Sequence, residues 1–290
     1  MDLRPRRSAL FLPASNPKAV AKARELDADV VILDLEDAVA PEAKDEARAA
    51  AVQAVRDGGF GRREVVIRVN GLDTAWGPAD LAAVAAAGPD AVLVPKVSDC
   101  AGLKAYDQAL AAAPAVTRLW TMIETCAVVP ELSNLAALSV STRLSAFVLG
   151  TNDLAKDMRA EIRPGRAPFL PILTAAVCAA RAHGLIVIDG VCNEFRDAEV
   201  LTREAKQGRE FGFDGKSLIH PDQIEPCNAV FSPNAAEIDK ARAIIAAFAD
   251  PENSGKGAIR LEGRMVELLH LDQARRTLAI AEAIGQPQAR

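Results

Sequence analysis

The sequence predicts a parallel (β/α)8 barrel with a C-terminal helical extension, and three observations predict it. Short β-rich runs alternate with alanine-rich helical stretches, the runs are apolar throughout rather than at every second residue, and several end on carboxylates. Continuous apolar runs suit strands covered by helices on both faces, as in a parallel sheet. Acids at the ends of such strands are where parallel α/β folds keep their chemistry. A doubly wound open sheet is the alternative, yet no GxGxxG or GxxxxGK follows an early strand.

In chain order the strand candidates are ALFLP (9–13), VVILDLE (30–36), EVVIRVN (64–70), AVLVPK (91–96), RLWTMIE (118–124), SAFVLGT (145–151), LIVIDG (185–190) and FDGKSLI (213–219). Helices are expected at 17–26, 42–57, 77–87, 99–113, 127–138, 168–183, 194–209 and 221–230. The first has Ser15 or Asn16 as N-cap ahead of Pro17. His183, before Gly184, reads as the end of the sixth. Eight such units fill a barrel in about 250 residues, which places the catalytic domain at 1–232 and an extension at 233–290. Within the extension, SPNAAEIDKARAIIAAFAD reads as a helix capped near Ser232 to Asn234. DPENSGKGA is a polar linker, and IRLEGRMVELLHLDQARRTLAIAEAIG supplies a short strand or turn and a last amphipathic helix. A tail leaving through a flexible segment can cap its own mouth or a neighbour's, so an oligomer is expected.

With 290 residues, 50% of them hydrophobic and 4% aromatic, the chain can bury a full core rich in alanine, valine and leucine. A net charge of -5 argues against nucleic acid as a partner, which needs clustered positive charge. The opening MDLRPRRSALFLP has too brief an apolar run for a signal peptide or membrane span, so a cytoplasmic location is expected. Cys100, Cys126, Cys178, Cys192 and Cys227 lack CxxC spacing and read as buried thiols in a reducing compartment.

Glu124 closes the fifth strand and Asp153 follows the sixth. Adjacent barrel strands project their ends toward one mouth, so this pair could hold a hard cation with open positions for water and substrate, as Mg²⁺ prefers. Both acids could equally cap helices. DLED brings Asp34, Glu36 and Asp37 after the second strand. Strand alternation would face Asp34 and Glu36 one way and Asp37 the other, with Glu36 or Asp37 accepting from metal-bound water or the acids stabilising a helix N-terminus. Arg68 sits in an apolar run, where its guanidinium can grip a carboxylate bidentately, pair with DLED, or do both. Lys96 ends the fourth strand and suits charge balance better than a Schiff base. Arg6, Arg7 and Lys18 surround the first strand and could receive phosphate, although an ordinary capped helix explains them too. His183, His220 and His270 lack metal spacing.

RSALFLPASNP, DVVILDLEDAV, VVIRVNGLDTAWG, AVLVPK, MIET, GTNDL and GFDGKSLIHPDQI, in that order, resemble the CoA-ester lyases related to the citrate lyase β subunit, within the HpcH/HpaI aldolase/citrate lyase family. The resemblance runs from about Arg7 to the C-terminal helix. It implies a TIM barrel of the phosphoenolpyruvate-binding superfamily type and an enzyme that cleaves a malyl-, citramalyl- or citryl-CoA-type thioester into acetyl-CoA and a 2-keto acid. It further implies Mg²⁺ on Glu124 and Asp153, substrate held by Arg68 and Glu124, Asp37 near the metal waters, CoA contacts from Arg7 and Lys18, and a homotrimer or hexamer. Where the family's C-terminal segment reads GKMID or GKMVD followed by proline, this chain has EGRMVELLHLDQA, with Glu267 at the expected acid/base aspartate. The added methylene opens a second reading, a malyl-CoA thioesterase, since placement errors near 1 Å matter to rate. A CoA-independent 2-keto-acid aldolase and a β subunit of a citrate lyase complex are further alternatives.

Overall fold

The computed structural model describes residues 4–285. Eight parallel strands close into a barrel in which β1 (Ser8–Pro13) pairs with both β2 (Val30–Asp34) and β8 (Gly215–Leu218). Between them come β3 (Glu64–Arg68), β4 (Ala91–Val94), β5 (Arg118–Ile123), β6 (Leu144–Leu149) and β7 (Ile186–Asp189). All eight expected strands form, and all but β1 are shorter than their apolar runs where the chain turns into the following loop. The covering helices are α1 (Pro17–Ala23), α2 (Lys44–Asp57), α3 (Gly77–Ala87), α4 (Cys100–Ala109), α5 (Leu132–Ala137), α6 (Thr151–Met158), α7 (Leu170–Ala182), α8 (Ala198–Phe211) and α9 (Ile224–Phe231). Asn16 caps α1 by accepting from the Ala19 amide, and His183 ends α7. The short α6, just after β6, is not among the helices expected from the sequence; its eight residues are too few for a periodic signal to stand out.

Strand alternation decides what the barrel encloses. Val30 and Ile32 of β2, Val66 of β3, and Trp120 and Met122 of β5 belong to one buried apolar cluster inside the barrel. Continuing that period of two turns Asp34, Arg68 and Glu124 inward at the C-terminal ends of their strands. The opposite faces pack against the helices in a much larger cluster. The other end is closed by Arg6, whose guanidinium pairs with Glu64 and lies 5.7 Å from the centre of the Trp120 ring. Gly215 makes room there, since a Cβ on it would fall 1.8 Å from the Arg6 carbonyl oxygen.

One carboxylate-ended strand has no part in the mouth. Asp189 follows the inward-facing Ile188, so it points out toward α8, where Gly208 leaves space for it. It accepts from Arg166 Nη1 at 2.7 Å and Lys216 Nζ at 3.1 Å, and all three side chains are buried. Burial opposes its charge, yet Lys216 and Arg166 outweigh that and hold its carboxyl below the usual range.

Beyond the barrel, α10 (Ala235–Ala249), a hairpin of β9 (Ala258–Leu261) and β10 (Arg264–Glu267), and α11 (Leu268–Gly285) share a small apolar core of their own. Asn234 and Glu237 form a capping box at the start of α10. Arg276 donates to Asp214 at 2.9 Å, and Arg62 donates to the Ile284 carbonyl at 3.1 Å. Both anchors precede strands, so the extension lies against the N-terminal face of the barrel. It cannot cap its own mouth, and Glu267 stands at the far end of the molecule from Glu124 within one chain. The cysteines also differ from expectation: Cys192 and Cys227 are buried, Cys100 is partly buried, and Cys126 and Cys178 are exposed. Among the described residues no helix is long and apolar enough to cross a membrane.

Substituting Gly215→Ala should destabilise the fold by about 2 kcal/mol or more through overpacking against the Arg6 backbone. An unchanged urea midpoint would show that the barrel floor yields.

Candidate active site

Arg68 organises the mouth. Its Nε and Nη2 donate to Asp34 Oδ1 and Oδ2 at 2.7 and 2.6 Å, and Nη1 lies 2.9 Å from Glu36 Oε2 and 3.8 Å from Asp37 Oδ2. The guanidinium also sits over the Phe11 ring at 4.9 Å. Burial works against its charge, but Asp34, Glu36 and Asp37 outweigh it and raise its pKa. Asp34 and Glu36 do face the mouth, but Asp37 does not turn away as strand alternation implied. β2 stops at Asp34, whose carboxylate accepts from the Glu36 and Ala38 amides at 2.9 and 3.1 Å and folds the acidic loop over the arginine. Asp37 is the half-exposed member.

Residues absent from the sequence reading hold that loop from behind. The buried Lys44 amine donates to the Leu35 and Glu36 carbonyls and to Asn70 Oδ1 at 2.8, 2.7 and 2.8 Å. Asn70 in turn donates to Asp80, which also receives Arg48. A single lysine at a helix start carries no spacing signal that would single it out; only its burial does.

Across the mouth, Glu124 is 1% exposed. Its Oε1 accepts from the Lys96 backbone amide at 2.7 Å, while its Oε2 is buried with no hydrogen-bond partner. Gly150 makes this possible, because a Cβ there would come within 2.5 Å of the Glu124 Cβ. Burial, then repulsion from Glu36 and Asp153, pushes the Glu124 carboxyl up to about 8 despite the Lys96 amide. Asp153 lies in the first turn of α6, half-buried, and its side chain accepts no hydrogen bond among the described residues. A buried carboxylate oxygen without a donor, beside a second free carboxylate, suits a hard divalent cation. Among the described residues no three His, Cys, Asp or Glu side chains gather as ligands, so protein donors would be few and water or substrate would complete the shell.

Lys96 spans the two halves: its Nζ is 2.6 Å from Glu36 Oε1 and 3.7 Å from Asp37 Oδ1. Burial opposes its charge, but the hydrogen bond and charge of Glu36 outweigh it and raise its pKa, which leaves an ammonium rather than a nucleophilic amine. Lys18 stands exposed at the start of α1, on the mouth side of β1. Arg7 does not join it. It precedes β1 at the opposite face, 5% exposed, with both its Nε and Nη2 donating to Asp29 at 2.8 Å and Nη1 donating to Ser232. Six strand residues at about 3.3 Å each separate it from the mouth, so Arg7 does not gather with Lys18 around the end of the first strand.

A family model described as HpcH/HpaI aldolase/citrate lyase matches residues 7–221, and one described as a C–C bond lyase of the TIM-barrel fold matches 161–286. The chain belongs to the HpcH/HpaI aldolase/citrate lyase family. A (3S)-malyl-CoA thioesterase from Cereibacter sphaeroides is 48% identical over 281 residues, 97% of this chain and 96% of that protein. The citrate lyase subunit beta of Escherichia coli is 32% identical over 97% of this chain and 95% of its own. Among solved structures, protein CitE from Mycobacterium tuberculosis in complex with magnesium, acetoacetate and coenzyme A superposes with a TM-score of 0.79 at 29% identity, covering 97% of this chain and all (100%) of that one. The expectation of a citrate-lyase-β-like CoA-ester lyase enzyme on an eight-stranded barrel therefore holds.

A carboxyl whose folded pKa is raised from 4.5 to about 8 favours folding fully below pH 4.5 and loses that contribution as pH rises through about 8. In the presence of a chelator, Glu124→Gln should therefore melt progressively higher than the parent protein as pH increases. A melting difference independent of pH would refute the buried, proton-holding glutamate.

Proposed function

We propose that this chain is a cytoplasmic, Mg²⁺-dependent enzyme acting on a malyl-type CoA thioester, cleaving it into acetyl-CoA and a 2-keto acid. The observation that carries this reading is the pairing of a donorless buried oxygen on Glu124 with the Arg68 guanidinium, on opposite sides of one small mouth. Arg68 donates two N–H groups to Asp34, so others remain of its five for a substrate carboxylate. Asp34 and Glu36 keep that guanidinium in place before substrate arrives, so little ordering is left for the binding step. Glu124 and Asp153 would hold the cation, which supplies a Lewis acid for the oxygen that becomes the keto-acid carbonyl. In cleavage the 3-hydroxyacyl substrate gives up its hydroxyl proton, the carbon–carbon bond breaks, and the acetyl thioester leaves as an enolate that takes a proton. The half-exposed Asp37 is within reach of Arg68 and is the mouth's own candidate for proton transfer. Glu267, remote from the mouth of its own chain, acts on a neighbour's in a homotrimer or hexamer. Lys18 suits the CoA phosphates at the rim.

Magnesium, acetoacetate and coenzyme A in the complex of the M. tuberculosis relative support this reading. Thioester hydrolysis is the second reading. It is favoured by glutamate at position 267 and by the malyl-CoA thioesterase that is 48% identical.

Incubation with (3S)-malyl-CoA and Mg²⁺ should release acetyl-CoA and glyoxylate, and chelation should abolish turnover. Free CoA with malate would decide for hydrolysis, and no product with any malyl-, citramalyl- or citryl-CoA would end the proposal. Asp153→Ala should remove Mg²⁺-dependent activity while leaving the melting curve in place, since no hydrogen bond to its side chain is lost. Full activity in that variant would exclude Asp153 as a ligand.

A further inference from the structure

The residue that joins the two halves of the mouth has an unusual backbone. Lys96 has φ +52° although it is not glycine, a conformation that costs energy unless its surroundings demand it. The three other described non-glycine residues with positive φ have local reasons: Arg159 caps the end of α6, Arg166 precedes a helical turn, and Glu262 lies in the β9–β10 hairpin. Lys96 follows Pro95 directly after a barrel strand, where no such turn or cap explains it.

The twist aims its two polar ends at different acids. The amide donates to Glu124 Oε1 at 2.7 Å, and the ammonium reaches Glu36 Oε1 at 2.6 Å. The next peptide is tied to the same loop, since Thr125 Oγ1 donates to the Val97 carbonyl at 3.1 Å. With Oε1 held by the Lys96 amide, Oε2 alone is left for a ligand, on the side that the missing Cβ of Gly150 keeps open.

We infer that Lys96 is a positioning residue whose strained backbone, separately from its amine, orients Glu124 toward a divalent cation, while its ammonium holds Glu36. This rests on the magnesium reading of the site. The two tasks divide by substitution. Lys96→Gly keeps the amide and adopts positive φ freely but loses the ammonium. Lys96→Val also loses the ammonium, and its branched side chain opposes positive φ, so its peptide should rotate and release Glu124.

Mg²⁺ alone, titrated calorimetrically into the metal-free protein without substrate, reads the difference. Lys96→Gly should bind Mg²⁺ within about threefold of the parent protein, whereas Lys96→Val should lose about 10–100-fold, the usual cost of removing a partner that orients a ligand. Lys96→Gly should still turn over more slowly, with kcat rather than metal affinity affected. Equal affinity in folded Lys96→Val, or a more than tenfold loss in Lys96→Gly, would overturn the inference while leaving the magnesium site intact. Should Lys96→Val fail to fold, Lys96→Ala, whose Cβ also opposes positive φ, takes its place in the comparison with Lys96→Gly. If the parent protein does not bind Mg²⁺, the site reading itself fails and the inference with it.

Discussion

The mouth depends on one buried ion pair, that between Arg68 and Asp34. Two charged groups taken out of water are stable only when each meets a matched partner, and the bidentate contact at 2.7 and 2.6 Å supplies that match. Register creates it: Asp34 and Arg68 are paired residues at the ends of β2 and β3 and share the inward face. Once they are joined, Glu36 and Asp37 are drawn to the same cation. The loop that carries them is then held by the Asp34 carboxylate from within and by Lys44 from behind. Removing the arginine would leave buried carboxylates without a counter-charge.

Against this fully paired half stands a deliberately unpaired one. Glu124 is as deeply buried as Asp34, yet it receives a single amide hydrogen bond and faces two other acids. The cost of that arrangement falls on the folded state and would be relieved by a cation. Lys96 keeps the halves from drifting apart, since its side chain belongs to the paired side and its amide to the unpaired side. The result is a mouth with an anchored positive group on one wall and a buried carboxyl oxygen without a hydrogen-bond partner on the other.

Much of this was legible in the chain. The eight apolar runs became the eight strands, and the expected positions of Glu124, Asp153, Arg68 and the DLED acids at one end follow from parallel strands with a period of two. Two placements around the mouth differ from expectation for identifiable reasons. Strand alternation would face Asp37 away, but it ends at Asp34, where a side-chain turn takes over. Arg7 and Lys18 are close in sequence, yet the strand between them puts them at opposite ends of the barrel. Asp189 shows the complement: a strand-ending acid one residue out of phase points away from the mouth and becomes an internal counter-ion.

What the sequence by itself determined is therefore the set of strands, their inward phase and the kinds of charge at their ends, because these depend on local pattern. The closed register, the pairing of Asp34 with Arg68, the unsatisfied oxygen of Glu124, the positive φ of Lys96 and the seat of the extension on the barrel's N-terminal face were decided only in the tertiary structure. Each is a relation between segments distant in the chain, and burial, which gives a charge its need for a partner, exists only once those segments have packed.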